Sequence, residues 1–241
     1  MLPQGNRIEM VPQFMYLGSG MADNGSLDAE ISLRLSKASV VFGRLLTPVF
    51  LNSTLSTFTK RLVYQACVLS VLLYGSETWT VKAPHLRRLL AFHHQCVRRI
   101  MGVTRSQQWH DHLTTKELSE RFGMLHDIDI ILRHHRLRWL GHIGHMSAIR
   151  LPKQVLFAEG VATRPRHGPK RRWRDLIVAD LRTEGIAEET WMAQAEDRSL
   201  WRQLCTRSRP PSPWALDFIC STCGRAFRRS GDLKRHSRFC D

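Results

Sequence analysis

Four residues near the C-terminus have the types and spacing to do chemistry: Cys220-x2-Cys223-x12-His236-x3-Cys240. Three thiolates and an imidazole can close a tetrahedron around one zinc ion, two ligands coming from a tight turn and two from neighbouring turns of one helix. Phe218, Phe227 and Leu233 stand where a ββα finger keeps its small core, with cysteine in place of the second histidine. A segment this short cannot bury enough apolar surface alone, so folding of 218–241 and zinc binding are expected to be one event.

The same frame assigns the finger's polar residues. With Leu233 and His236 as the fourth and seventh residues of the helix, Arg229, Asp232 and Arg235 fall at the positions that face bases in such fingers. Arg225, Arg228, Lys234 and Arg238 are expected to touch phosphates, which add affinity without sequence information. One finger reads about three base pairs, so duplex specificity is not expected from it alone. A zinc-stapled tail that docks on protein is the alternative.

Bulk composition points to the same class of partner. The 241 residues include 36 Lys and Arg against 21 Asp and Glu, a formal charge of +15, and 43% of them are hydrophobic. That is a globular chain with an excess of cations suited to a polyanion, nucleic acid first and an anionic membrane surface second. Apolar runs such as Val68 to Tyr74 fall far short of the ~20 residues a spanning helix needs, and the opening residues carry Arg7 and Glu9 where a secretory signal would be apolar. Three of the six cysteines crowd into the finger, which reads as metal binding in a reducing compartment rather than a disulfide framework. Cys67 and Cys96 read as buried thiols on helical faces. The basic runs resemble import signals, so nuclear residence is expected, with cytoplasmic residence alongside.

Outside the finger, Arg164, Arg166, Lys170, Arg171, Arg172 and Arg174 form a phosphate-binding strip, for which a solvated linker is the alternative. Trp173 among them is either a stacking surface or part of a core. His142-x2-His145 with His134 or His135 could hold a metal, but no cysteine or carboxylate stands at a complementary spacing, and packing or phosphate contact is expected instead. His93, His94 and Cys96 are treated in the same way. Asp175, Asp180 and Glu184, on a helix, are expected to pair with neighbouring arginines rather than to form a nuclease trio.

The elements that must carry these residues are mainly helical. FMYLGSGMADNG, closed by glycines and an Asn-Gly pair, reads as a hairpin. Three helices follow: a stripe of Ile31, Leu35, Ala38, Phe42 and Leu45 stopping before Pro48; a stripe of Leu55, Phe58, Leu62, Ala66, Leu69 and Leu73 ending at Gly75; and a stripe of Leu86, Leu89, His93, Cys96 and Ile100 between Pro84 and Gly102. Thr114 and Glu117 make a capping box for a short helix closing at Gly123. Asp127 is the expected N-cap of a helix through Ile128, Ile131, Leu132, His135, Trp139, His142 and Met146. A helix from Trp173 through Leu176, Ile177, Asp180 and Leu181 ends at Gly185, and one last amphipathic helix carries Trp191, Ala195, Trp201 and Leu204. The expected organisation is a hairpin (1–25), a helical domain (26–110), a helical connector with the basic strip (111–208), a Pro-rich linker (209–217) and the finger (218–241).

Taken in order, several blocks resemble the C-terminal part of non-LTR retrotransposon (LINE-like) endonuclease-reverse transcriptases. FMYLGS (Phe14 to Ser19) is similar to that family's primer-grip region, and LLYGSETWT (Leu72 to Thr80) to a block of its thumb. LRWLGHIGHM (Leu137 to Met146), HGPKRRWRDLIVADL (His167 to Leu181), AEDRSLWRQL (Ala195 to Leu204) and the terminal finger resemble the region after the thumb. The resemblance implies a thumb and connector that grip template and primer, followed by a finger that holds nucleic acid. It also implies a truncated product without enzymatic activity, because the family's paired catalytic aspartates belong to a palm and no Asp-Asp pair occurs here. The thumb and tail of a reverse transcriptase completed by another polypeptide is the alternative, and a non-catalytic protein-interaction module is another. The finger's spacing departs from the compact CCHC knuckle of some relatives, so knuckle-type single-strand binding does not carry over.

Overall fold

The computed structural model describes residues 11–124, 127–158 and 172–205, together with two short strands near the C-terminus, and is mainly α-helical. It begins with an antiparallel hairpin, β1 (Gln13–Tyr16) paired with β2 (Ser19–Ala22). The turn is Leu17-Gly18, both at positive φ (47° and 86°), the backbone twist that two-residue hairpins favour. Leu17 is costly there, and neighbours hold it: Tyr74 Oη donates to the Leu17 carbonyl at 3.2 Å, and Arg34 Nη2 to the Gly18 carbonyl at 2.7 Å. Asn24-Gly25 belongs to the next turn, leading into α1 (Asp28–Leu45).

The stripe of α1 lies as its spacing predicts, with Ile31, Ala38 and Phe42 buried and Leu35 and Leu45 packed against them. Pro48 does not stop the chain. A π-helical turn, Leu46–Phe50, carries it onward, with Leu51 N donating to the Leu46 carbonyl at 2.8 Å. A widened turn accepts proline because its missing N–H requires no acceptor and the ring is spared the clash of a tight helix. The second stripe needs a larger correction. Helix α2 (Thr57–Val63) passes through a π-helical segment, Tyr64–Leu69, into α3 (Ser70–Leu72). Leu69 and Leu73 of the stripe are buried, but the wider turn shifts the inward face so that Ala66 is exposed and Tyr64, Val68 and Leu72 are fully buried; Phe58, before the turn, is exposed as well. Cys67 is half-buried for the same reason.

Helix α4 (Ala83–Met101) matches its reading closely: Leu89, His93, Cys96 and Ile100 are buried, and Gly102 caps the end at φ 69°. After a short α5 (Arg105–His110), α6 (Thr115–Arg121) starts on the expected Thr114/Glu117 box, the Thr114 hydroxyl accepting from Glu117 N at 3.1 Å. Helix α7 (Ile128–Gly144) is the central element, with α8 (Leu151–Phe157) after it. Asp127 sits at its N-cap position but makes no capping hydrogen bond; its carboxylate lies 3.6 Å from His94 Nε2 instead. The inward residues of α7 change along its length. Ile128 and Leu132 join the core of α1 to α6, whereas Leu137 and Leu140 join a second core with α9 (Trp173–Thr183), α10 (Trp191–Glu196) and α11 (Arg198–Leu204).

The last amphipathic segment is thus two helices rather than one. Asp197 leaves helical geometry at ψ 103°, and its side chain accepts from Ser199 N and Leu200 N, capping α11. That break lets Trp191, Ala195, Trp201 and Leu204 all turn inward. Helix α11 approaches α7 closely enough to require Gly141, where a Cβ would overlap the Trp201 indole, and Trp201 Nε1 donates to the Leu137 carbonyl at 3.1 Å.

Candidate nucleic-acid interface

Near the C-terminus, β3 (Phe218–Ile219) and β4 (Ala226–Phe227) pair antiparallel, with Phe218 opposite Phe227 and Ile219 opposite Ala226. The strands fall where the cysteine spacing puts a finger's hairpin, and the intervening 220–225 carry Cys220 and Cys223. The four expected zinc ligands lie outside the described residues, as do Arg225, Arg228, Arg229, Asp232, Lys234, Arg235 and Arg238.

Of the basic strip, Arg164, Arg166, Lys170 and Arg171 also lie outside the described residues. Arg172 is exposed at the N-cap of α9, where its backbone N–H donates to Asp175 Oδ2 at 2.8 Å. Arg174 Nη2 stands 3.8 Å from Glu188 Oε1, which partly compensates it, with over half of its side chain exposed. Trp173 is an anchor: it packs against the second core and donates from Nε1 to the Glu77 carbonyl at 2.8 Å.

That hydrogen bond belongs to a wider pattern in which the sequence blocks meet one another. Gly75, at φ 71°, starts the short 3-10 turn Ser76–Thr78, which packs on α7. Ser76 Oγ lies 2.7 Å from His135 Nδ1, Glu77 receives Trp173, and Leu137 receives Trp201. Glu77 of the Leu72–Thr80 block is therefore tied to Trp173, and Leu137 of the Leu137–Met146 block to Trp201 of the Ala195–Leu204 block, by side-chain-to-backbone hydrogen bonds, while Ser76 meets α7 just before Leu137.

The remaining candidates have structural partners. Asp180 and Glu184 pair with arginines of α7 rather than with neighbours on their own helix: Asp180 accepts two hydrogen bonds from Arg136, and Glu184 Oε1 accepts one from Arg133 at 3.2 Å. His93 is buried with Nδ1 2.9 Å from Tyr64 Oη; burial and the neighbouring His94 charge lower its pKa to about 4 against a smaller opposing effect of Asp127. Burial pushes the Cys96 thiol up to about 12, which leaves it protonated and unreactive. His142 and His145 are exposed, and among the described residues no three of His, Cys, Asp and Glu come together in a way that could hold a metal ion.

Arg138, Arg198 and Arg202 are exposed cations that belong to neither the strip nor the finger. Their signal in the sequence is the four-residue interval between Arg198 and Arg202, which places both on one helix face. Among the described residues, no helix is long and apolar enough to cross a membrane.

The chain is similar to an uncharacterized transposon-derived protein of Caenorhabditis elegans, 24% identical over 214 residues, a match covering 84% of this chain and 73% of that protein. No family model matches the chain, and no solved structure matches it. The similarity supports a transposon origin for this helical, strongly basic chain.

Proposed function

We propose that this chain binds RNA or DNA in a zinc-dependent manner, as the thumb, connector and terminal finger of a non-LTR retrotransposon reverse transcriptase, and carries out no chemistry of its own. The observation that carries the reading is the pairing of Phe218 with Phe227 around a segment containing Cys220 and Cys223. A CxxC between two short antiparallel strands is the first half of a ββα zinc site, and His236 and Cys240 supply the second half at one-turn spacing. Support for the polyanion partner comes from the +15 charge and from the exposure of Arg172 and Arg174. The relative's transposon derivation and the block-to-block contacts of Glu77 with Trp173 and of Leu137 with Trp201 support the retrotransposon assignment.

In this reading the finger and the basic strip hold phosphates, and the helical body sets the distance between them. Zinc supplies the cross-link that orders the finger helix, on which Arg229 and Arg235 face bases and Asp232 lies between them. The chain holds no adjacent aspartate pair for two-metal phosphoryl transfer.

The test is binding of the zinc-loaded chain to labelled single-stranded RNA, single-stranded DNA and duplex DNA across a salt series. Affinity should fall steeply with salt, and both Cys220→Ala and Arg229→Ala with Arg235→Ala should weaken it. Binding that is absent at low salt, in protein confirmed to contain zinc, contradicts the proposal and leaves a protein-docking module.

A further inference from the structure

Helices α7 and α11 enclose an open pocket of about 750 Å³. From α7 it receives Arg138, His142 and His145, spaced four and three residues apart and therefore on one helix face; from α11 it receives Arg198 and Arg202, also one turn apart. All five side chains are exposed. No aspartate or glutamate lines the pocket among the described residues.

The opposite side of α7 is built differently. Arg133 and Arg136 face α9, where Asp180 and Glu184 meet them at 2.6 to 3.8 Å. Cations on that side are neutralised inside the protein, whereas neither Arg138 nor Arg198 has an ion-pair partner among the described residues. Guanidinium groups converging on one concavity repel each other, and an anion that enters it removes that repulsion.

The shape narrows the choice of anion. Trp201 forms part of the wall, but its ring is only 6% exposed and its Nε1 is committed to the Leu137 carbonyl, so it offers no face for a base to stack on. Arg138 and Arg198 present guanidinium N–H groups, which suit phosphate oxygens. A pocket within the range of roughly 300–1,000 Å³ takes a few phosphate and sugar units of one strand, not the cross-section of a duplex.

We propose that α7 and α11 form a second, zinc-independent groove that holds the phosphodiester backbone of a single nucleic-acid strand. The inference rests on the reading of the chain as a nucleic-acid binder, and adds a site that neither the finger nor the basic strip contains. Gly141 and the Trp201-to-Leu137 hydrogen bond fix the two helices so that their cations face one concavity before a strand arrives.

The test uses the full zinc-loaded chain, with fluorescence anisotropy on a labelled oligouridylate and an oligothymidylate of equal length. Arg138→Gln with Arg198→Gln should weaken both ligands and flatten the plot of log affinity against log salt by about 1.4, at ~0.7 for each phosphate of the single strand that is no longer neutralised. The same weakening should persist in the Cys220→Ala, Cys223→Ala background. Arg121→Gln with Arg182→Gln removes two exposed charges elsewhere and should leave the slope nearly unchanged. A wild-type slope in the Arg138/Arg198 variant, or an equal flattening in the Arg121/Arg182 control, overturns the groove while leaving the finger reading intact. Failure of the wild-type chain to bind either strand removes the nucleic-acid reading and the groove with it.

Discussion

Arg136 of α7 holds Asp180 of α9 through two hydrogen bonds, Nε to Oδ2 at 2.6 Å and Nη2 to Oδ1 at 3.0 Å, with each side chain only 9% exposed. The pair joins the central helix to the helix that follows the basic strip, and Arg133 Nε lies a further 3.8 Å from the same carboxylate. Removing one partner strands a buried charge. Asp180→Asn should destabilise the fold by about 3–5 kcal/mol, measured as a fall in the urea midpoint. The double substitution Arg136→Met with Asp180→Leu should recover much of that stability, because an apolar pair leaves neither charge buried alone.

Gly141 has to be glycine for a packing reason rather than a backbone one, since a Cβ there would overlap Trp201. Gly141→Ala should cost about 1–3 kcal/mol and displace α11 from α7. The checks are a lower melting temperature and a red shift of tryptophan emission as Trp201 gains water.

The ion pair and the glycine seat differ from other features in how far the sequence announces them. Helix α4 is legible because its stripe, its proline near the start and Gly102 at the end all agree, and the α6 capping box is a purely local signal. The π-helical segments at Leu46–Phe50 and Tyr64–Leu69 are not legible: a widened turn is a compromise with tertiary packing, and it moves the apolar face away from where regular spacing puts it. The Arg136–Asp180 pair joins residues 44 apart in the chain, and Trp173 meets Glu77 across 96; no local pattern encodes either. The finger's ligands show the reverse case. The interval of their residue types is what suggests a metal site; of that pattern, the short pairing of Phe218 with Phe227 is what falls among the described residues.

His93 adds a pH dependence. Its folded pKa, lowered to about 4 by burial, lies below the ordinary value near 6.5, so the unfolded chain takes up the proton first as pH falls. Stability should therefore decline from about pH 6.5 down to about pH 4 and level off below, a decrease of up to roughly 3 kcal/mol from this residue. The stability of wild type minus that of His93→Phe should fall as pH drops through that window and stay constant outside it. Parallel curves would show that the buried imidazole does not titrate in this way.

The finger is expected to fold with its metal while the two helical cores do not depend on it. Cys223→Ala should abolish stoichiometric zinc in the purified chain yet leave the melting temperature of the helical body within a few degrees of wild type. The measurements are metal analysis by mass spectrometry and thermal melting by far-ultraviolet circular dichroism. A body that unfolds when zinc is removed would mean that the finger is part of the core.

Zinc binding and nucleic-acid binding are proposed to be linked in this chain. The most direct measurement strips the metal with a chelator, records affinity for a single-stranded oligonucleotide at fixed salt, and then restores zinc. Removal should weaken binding, the residual component should be weakened further when Arg138 and Arg198 are also replaced, and readdition should restore the wild-type affinity fully. Affinity indifferent to zinc throughout, in protein shown to bind and release the metal, would contradict it.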